Sequence, residues 1–189
     1  MSCNSSVYYN SDLRMFLLSD NIDNSTSGEL CFQLLCLIKQ DDQDETEKKG
    51  LKRKPIHIYI NSHGGTTWDA WMLIDIIRSS KTPIYTYCVG YAMSAGFEIF
   101  IAGHKRFVSQ HARLMLHSFV WGQPDYTKYQ DLVNRRCEED YLQNSQERYV
   151  LEQTKISETM LKEIREKKID RYFHADEALK LGIAHKLLI

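Results

Sequence analysis

Apolar residues along the chain follow two different periods. Short runs rich in β-branched and aromatic residues predict strands over 14–18, 56–60, 83–90, 106–108 and 113–116. Between them, apolar residues recur every three or four positions, which predicts helices over 30–38, 68–79, 93–102, 126–153, 157–167 and 175–182.

Strands that alternate with helices predict an α/β architecture with parallel strand pairs. The sequence has no internal repeat and no second apolar core, so we expect a single domain over 1–189. The stretch 41–54 is acidic at first and basic afterwards, which is typical of a solvated surface loop whose charges compensate one another.

Composition and charge narrow the functional classes. Hydrophobic residues make up 43% and charged residues 26% of the 189 positions, which is typical of a globular chain. The net charge of −1 gives no electrostatic basis for binding nucleic acid or an anionic membrane. No run approaches the roughly 18 apolar residues that a membrane-spanning helix requires.

Cysteine usage and the N-terminal residues bear on location. The five cysteines are odd in number and lack metal-like pairing: Cys3, Cys31, Cys36, Cys88 and Cys137. We therefore expect buried free thiols in a reducing compartment, with no metal and no cofactor. Residues 1–6 lack the basic and apolar regions of a signal peptide, which favours a cytoplasmic protein.

A serine framed by small residues stands where a strand ends and a buried helix begins. Ser94 lies within 90–96, beside Ala92, Ala95 and Gly96. Such a turn exposes a hydroxyl next to the free amides of a helix start, so Ser94 is a candidate nucleophile and Ala95 a candidate oxyanion donor. A serine at this position is, by itself, more often a helix cap.

A glycine pair and a histidine indicate a catalytic site only in combination with Ser94. The pair Gly64 and Gly65 follows a strand and lets the backbone approach a ligand closely, although such a pair is, by itself, more often an ordinary strand-to-helix turn. His117 ends a separate apolar run and is a candidate general base for Ser94, although a lone histidine is usually a core residue. The residues alone do not single out the carboxylate that would orient His117.

These segments, taken in order, resemble the proteolytic subunit of the Clp protease family. The resemblance covers 14–188 and rests on five motifs: 58–65 with the glycine pair, Asp75 in the next helix, 90–96 with the serine, 113–117 with the histidine, and 170–182. The chain is similar to a compact, divergent member of the kind that a phage encodes.

The resemblance implies a crotonase-like α/β fold with a protruding handle helix. It implies a head over 14–120 and 155–189 and a handle over about 121–154. It also implies a Ser94–His117–Asp170 catalytic triad and an oxyanion hole formed by the amides of Gly65 and Ala95. The implied substrate-binding residues are Gly64, Ser118, Phe119 and Val120.

The same resemblance implies self-compartmentalised serine endopeptidase activity on peptides and unfolded proteins. The implied partners are further copies of the chain, in heptameric rings stacked as a tetradecamer, and a separate AAA+ unfoldase such as ClpX, ClpA or ClpC. Tyr59 and Leu188 match positions of the family's unfoldase-docking cleft. The chain carries no glycine-lysine phosphate loop, so we expect no ATP hydrolysis of its own.

Some positions depart from the family pattern. His63 replaces the usual proline before the glycine pair, and Ser118-Phe119 replaces the usual glutamine-proline after the histidine. Both changes border the expected substrate strand. Three alternatives stay open at this point: a catalytically idle ring subunit of a mixed Clp complex, an ATPase-independent phage maturation protease, and a crotonase-type acyl-CoA enzyme.

Overall fold

The computed structural model describes residues 7–48, 50–120 and 128–188 of the chain. Its elements in chain order are β1 (Val7–Asn10), β2 (Met15–Ile22), α1 (Asn24–Glu47), β3 (Ile56–Gly65), α2 (Thr67–Ser79), β4 (Ile84–Met93), α3 (Ala95–Ala102), β5 (Lys105–Ser109), β6 (Arg113–Leu116), α4 (Tyr129–Gln153), α5 (Glu158–Lys167), β7 (Arg171–Phe173), α6 (Ala175–Lys180) and β8 (Lys186–Leu188).

Eight strands form one mixed sheet within these residues. Its main path runs β1-β2-β3-β4-β5-β8, and every pair from β2 to β8 along it is parallel. β1 is antiparallel to β2. The first part of β4 pairs with β5 and its last residues pair in parallel with β6, which in turn pairs with β7 in antiparallel fashion. The predicted α/β architecture with parallel strand pairs is confirmed.

The two faces of the sheet differ in composition. Ile56, Ile58 and Ile60 of β3 are fully buried on the face that packs against the helices. The opposite face carries Tyr59, Tyr87 and Phe107, which pair in register on three neighbouring strands and stack with ring centroids 4.6 and 4.7 Å apart. We call these three residues the aromatic row. The strict alternation follows from the two-residue period of a strand.

The helix that follows Ser94 begins slightly later than predicted. We expected a strand end at Gly90 and a helix from Met93, whereas β4 continues to Met93 and α3 starts at Ala95. The extension has a physical reason, because the last residues of β4 find a new partner in β6. All eight residues of α3 are buried, as the apolar composition of this segment predicted.

The loop prediction over 41–54 is wrong for its first half, because α1 continues to Glu47. Asp41 is buried and accepts hydrogen bonds from Arg14 at 3.0 and 2.7 Å and from the Thr82 hydroxyl at 2.6 Å. Arg53 pairs with Asp42 at 2.8 Å and also with Glu45. The acidic run therefore stays helical, since specific partners on other segments hold three of its carboxylates.

The cysteines differ in their burial. Cys31 and Cys88 are buried and free, and burial raises the pKa of each thiol to about 12. Cys36 and Cys137 are exposed, so the expectation of burial is wrong for them, and Cys3 lies outside the described residues.

The long helix α4 begins at Tyr129, and its predicted start at position 126 also lies outside the described residues. No helix in the described ranges has the length and apolar character needed to cross a bilayer.

Candidate active site

Ser94 occupies the single-residue junction between β4 and α3. Its backbone has φ 52° and ψ −123°, a conformation with positive φ that non-glycine residues rarely adopt. The Ser94 amide donates to the carbonyl of Met115 at 2.9 Å, and its side chain does not cap α3. The turn therefore leaves the hydroxyl available for other contacts.

His117 lies within hydrogen-bonding distance of that hydroxyl. Ser94 follows β4 and His117 follows β6, and these parallel strands pair through Met93 and Met115. Because both residues leave the carboxyl ends of adjacent strands, the fold brings them to the same edge of the sheet. The distance from His117 Nε2 to Ser94 Oγ is 2.8 Å.

The other ring nitrogen of His117 faces a backbone carbonyl. His117 Nδ1 lies 2.6 Å from the carbonyl oxygen of Ser118. A carbonyl oxygen can only accept, so Nδ1 carries the proton in this arrangement and Nε2 presents a lone pair to Ser94. This is the tautomer that a general base for Ser94 requires.

Asp170 and His117 adjoin the last paired residues of β7 and β6, and their side chains are not hydrogen-bonded to each other in the described part of the chain. β6 and β7 pair in antiparallel fashion with Leu116 opposite Arg171, so continuing the register by one residue places Asp170 opposite His117. The Asp170 side chain is exposed, and no hydrogen bond joins it to His117 within the described ranges. The chain by itself thus aligns Ser94 with His117 and leaves Asp170 next to them.

The glycine pair at the end of β3 packs directly against the serine turn. Gly64 has φ 104°, and a Cβ atom there would come within 2.8 Å of Ser94 Cβ and 3.0 Å of the Ala95 amide nitrogen. At Gly65 a Cβ would come within 2.1 Å of the carbonyl oxygen of Ile22. The amide of Ala95, the first residue of α3, has no acceptor in a preceding helical turn, whereas those of Phe97 and Glu98 already donate to the Ser94 carbonyl. Backbone groups of β3 and α3 therefore converge beside Ser94.

The expected substrate-binding residues after His117 are held by α4. The amide of Phe119 donates to Gln143 Oε1 at 2.7 Å. Ser118 and Phe119 are half-buried, whereas Val120 is 71% exposed and is the last residue described before 128. The sequence analysis did not identify Gln143. The available signal was weak, since polar residues are frequent throughout this helix.

A buried carboxylate on α3 is a second residue that the sequence pattern did not predict. Glu98 is 3% exposed, and its Oε1 accepts from Gln146 Nε2 at 2.5 Å. Its backbone carbonyl accepts from the Tyr149 hydroxyl at 3.1 Å. Burial raises the pKa of Glu98 to about 7, partly offset by the hydrogen bond from Gln146. One charged residue within a helix predicted to be buried was the signal that could have found it.

Tyr59 and Leu188 lie away from this site. Tyr59 belongs to the aromatic row, and Leu188 of β8 pairs with Ser109 of β5. Both are partly buried. β3 and β8 are separated by β4 and β5, so the two residues are about three strand spacings, roughly 15 Å, apart. The structure places them on one sheet without bringing them into contact.

Comparisons with known proteins identify the family of this chain. A family model described as Clp protease matches residues 4–189. Two similar curated proteins are the ATP-dependent Clp protease proteolytic subunits 1 of Prochlorococcus marinus subsp. pastoris and of Prochlorococcus marinus strain MIT 9312. Each is 32% identical over 111 residues, which is 58% of this chain and 52% of the relative. The match thus spans about half the length of these relatives.

Proposed function

The chain belongs to the Clp protease family, and from this premise we propose that it is a serine endopeptidase acting on peptides and unfolded proteins. The observation that carries the proposal is the 2.8 Å distance between Ser94 Oγ and His117 Nε2, together with the protonation of Nδ1 that the Ser118 carbonyl imposes. This pairing supports a serine nucleophile with a histidine base.

In the proposed reaction, Ser94 Oγ attacks the carbonyl carbon of a peptide bond while its proton passes to His117 Nε2. The resulting imidazolium gives that proton to the departing amine as the C–N bond breaks, leaving an acyl group on Ser94. Water then attacks the ester, with His117 again taking and returning one proton. The products are a carboxylic acid and the regenerated hydroxyl.

The amides of Gly65 and Ala95 are the proposed oxyanion donors. Ala95 is the first residue of α3, so its amide lies where the helix dipole favours negative charge. One such donor typically lowers the transition-state free energy by about 3–4 kcal/mol. The close packing of Gly64 on the serine turn supports a substrate strand that runs beside the end of β3.

Two groups share the proposed orientation of His117. The Ser118 carbonyl selects the tautomer, and the Asp170 carboxylate stabilises the imidazolium from the neighbouring strand. The register between β6 and β7 supports this role, since it places residue 170 opposite residue 117. Asp170 would complete the triad by turning its side chain toward Nδ1.

The assembly proposed for this chain follows from its family. We propose heptameric rings, stacked as a tetradecamer through the handle at about 121–154, that enclose the sites in the cytoplasm. A separate AAA+ unfoldase would deliver protein substrates, docking near Tyr59 and Leu188. The stacked rings of the aromatic row, which includes Tyr59, support an apolar contact there.

Covalent labelling tests the proposed activity directly. A fluorophosphonate probe should add once to the wild-type chain, as measured by intact-protein mass spectrometry, and not at all to Ser94→Ala. Ser79→Ala is the matched control, because Ser79 is an exposed serine at the end of α2 whose hydroxyl donates to carbonyls of its own helix. An assembled wild-type sample that takes up no probe would contradict the proposal.

One observation favours a second candidate, the catalytically idle subunit of a mixed ring. Asp170 is exposed and not bonded to His117 within the described residues. An idle subunit would remain unlabelled both alone and after mixing with an active proteolytic subunit, whereas a peptidase would be labelled at Ser94.

A further inference from the structure

Gln143 of α4 lies directly behind the loop that follows His117. Its Oε1 accepts a hydrogen bond from the Phe119 amide at 2.7 Å, and its Nε2 donates to Glu147 Oε1 at 2.9 Å. These two bonds use opposite ends of one side-chain amide. Gln143 therefore bridges the histidine loop and the next turn of α4.

The orientation of this amide is fixed by its neighbours. Glu147 is held by Arg165 of α5, whose NH1 lies 3.0 and 3.2 Å from its two carboxylate oxygens. An ionised carboxylate can only accept, so Nε2 of Gln143 must face Glu147 and Oε1 must face Phe119. A flipped amide would place two donors against each other at Phe119.

The bond to Phe119 bears on His117 because of peptide geometry. The Phe119 N–H and the Ser118 C=O belong to the same planar peptide unit, which cannot turn one group without the other. Gln143 holds the N–H, so it also aims the carbonyl that accepts from His117 Nδ1 at 2.6 Å. The fixed carbonyl keeps the proton on Nδ1 and the lone pair on Nε2.

We propose that Gln143 is a positioning residue that sets the tautomer and ring orientation of His117 through the 118–119 peptide. The proposal rests on the proposed function of Ser94 and His117 and adds a control of that site by α4. It also gives a reason for one departure noted in the sequence. A proline at position 119 has no N–H to offer, whereas Phe119 provides the donor that Gln143 uses.

The first test separates positioning from general destabilisation. Gln143→Met keeps the length of the side chain and removes its acceptor, and Gln153→Met is the control at the far end of the same helix. We expect Gln143→Met to lower kcat and the rate of fluorophosphonate labelling about tenfold, as for loss of a group that orients a functional histidine. KM should stay within about twofold, since the change leaves ground-state binding intact. Wild-type rates, or faster ones, would overturn the proposal.

The second test measures the tautomer without requiring activity. In protein labelled with ¹⁵N-histidine, the His117 signals are assigned by their loss in His117→Ala. We expect a protonated Nδ1 in the wild type and in Gln153→Met, and a mixture of tautomers in Gln143→Met. An unchanged His117 spectrum in Gln143→Met would overturn the positioning role. Failure of the wild type to take up probe would instead count against the proposed peptidase.

A third comparison guards against a variant that merely folds poorly. Phe119→Pro removes the same hydrogen bond from its other side, so the effects of Gln143→Met and Phe119→Pro should not add in the double variant. The double exchange Gln143→Glu with Glu147→Gln keeps both hydrogen bonds. Glu at 143 can accept from the Phe119 amide, and the side-chain amide of Gln at 147 can donate to Glu at 143. The double exchange should restore at least half of the wild-type rate, and additive losses with no rescue would contradict the mechanism.

Discussion

The Glu98 carboxylate and the Gln146 side-chain amide form a buried hydrogen bond, 2.5 Å long, between α3 and α4. Glu98 stands four positions after Ser94, so this contact ties α3, the helix that follows Ser94, to the long polar helix α4. The second carboxylate oxygen of Glu98, Oε2, is buried without a hydrogen-bond partner in the described part of the chain. Burying a carboxylate this way favours its neutral form.

The raised pKa of Glu98 predicts a stability that depends on pH. In the folded chain this pKa is about 7, compared with 4.5 for the free group, so the folded state binds more protons between those values. The stabilisation is therefore complete below about pH 4.5 and is lost as the pH rises through 7.

Chemical denaturation of wild type and Glu98→Gln at pH 5 and pH 8 measures this contribution. We expect the free energy of unfolding of wild type, relative to the variant, to fall on the order of 2 kcal/mol between the two conditions. Other titrating groups cancel in the comparison. Equal differences at both pH values would contradict the assignment.

The positive φ of Ser94 predicts a cost to folding. Ser94→Gly and Ser94→Ala both remove the hydroxyl, but only glycine adopts φ 52° without a steric penalty. We expect Ser94→Gly to be more stable than Ser94→Ala by about 1 kcal/mol, measured by thermal or urea unfolding. Equal stabilities would mean that the turn is not strained.

Asp170→Asn should reduce activity less than in a triad whose carboxylate alone holds the histidine tautomer. There the same change costs about 10⁴ in kcat. Because the Ser118 carbonyl already faces Nδ1, we expect a loss of roughly 10²-fold, measured with a short fluorogenic peptide at fixed assembly state. A loss as large as that of Ser94→Ala would show that Ser118 contributes little.

The buried ion pair of α1 should dominate the stability of that helix. Asp41→Ala leaves Arg14 and Thr82 without their shared acceptor, and we expect it to destabilise the fold by about 3 kcal/mol. Asp42→Ala is the control, because its side chain is 44% exposed and pairs with Arg53 near the surface. We expect that change to cost less than about 1 kcal/mol. Urea unfolding of both variants makes the comparison, and similar losses would contradict the ranking.

The sequence predicted those elements whose pattern is local and strong. β3 has a clear apolar run with one fully buried face and begins at its expected position, and α3 is buried throughout and begins two residues after its expected start. β1, β7 and β8 were missed because each has only three or four residues, too few for a clear period. β7 and β8 also depend on strands from distant segments, β6 and β5. The helical course of 41–47 depends on Arg14 and Thr82, which local charge patterns do not reveal.

The residues of the candidate site likewise include some that local sequence predicted and others that it did not. Ser94 and His117 were identified from their flanking residues, and their contact follows from the pairing of β4 with β6. Gln143 and Glu98 were missed because their hydrogen bonds join residues 24 and 48 positions apart. Their geometry depends on where α4 packs, and no short window of sequence specifies that.

The crowding at Gly64 and Gly65 limits how this chain can change over generations. Any side chain at position 64 meets the serine turn, and any at position 65 meets the backbone of Ile22. Variation at these two positions therefore has no neutral intermediate. A random library selected only for a folded product should therefore recover glycine at both positions, since a Cβ at 64 would also come within 2.7 Å of the carbonyl oxygen of Met93.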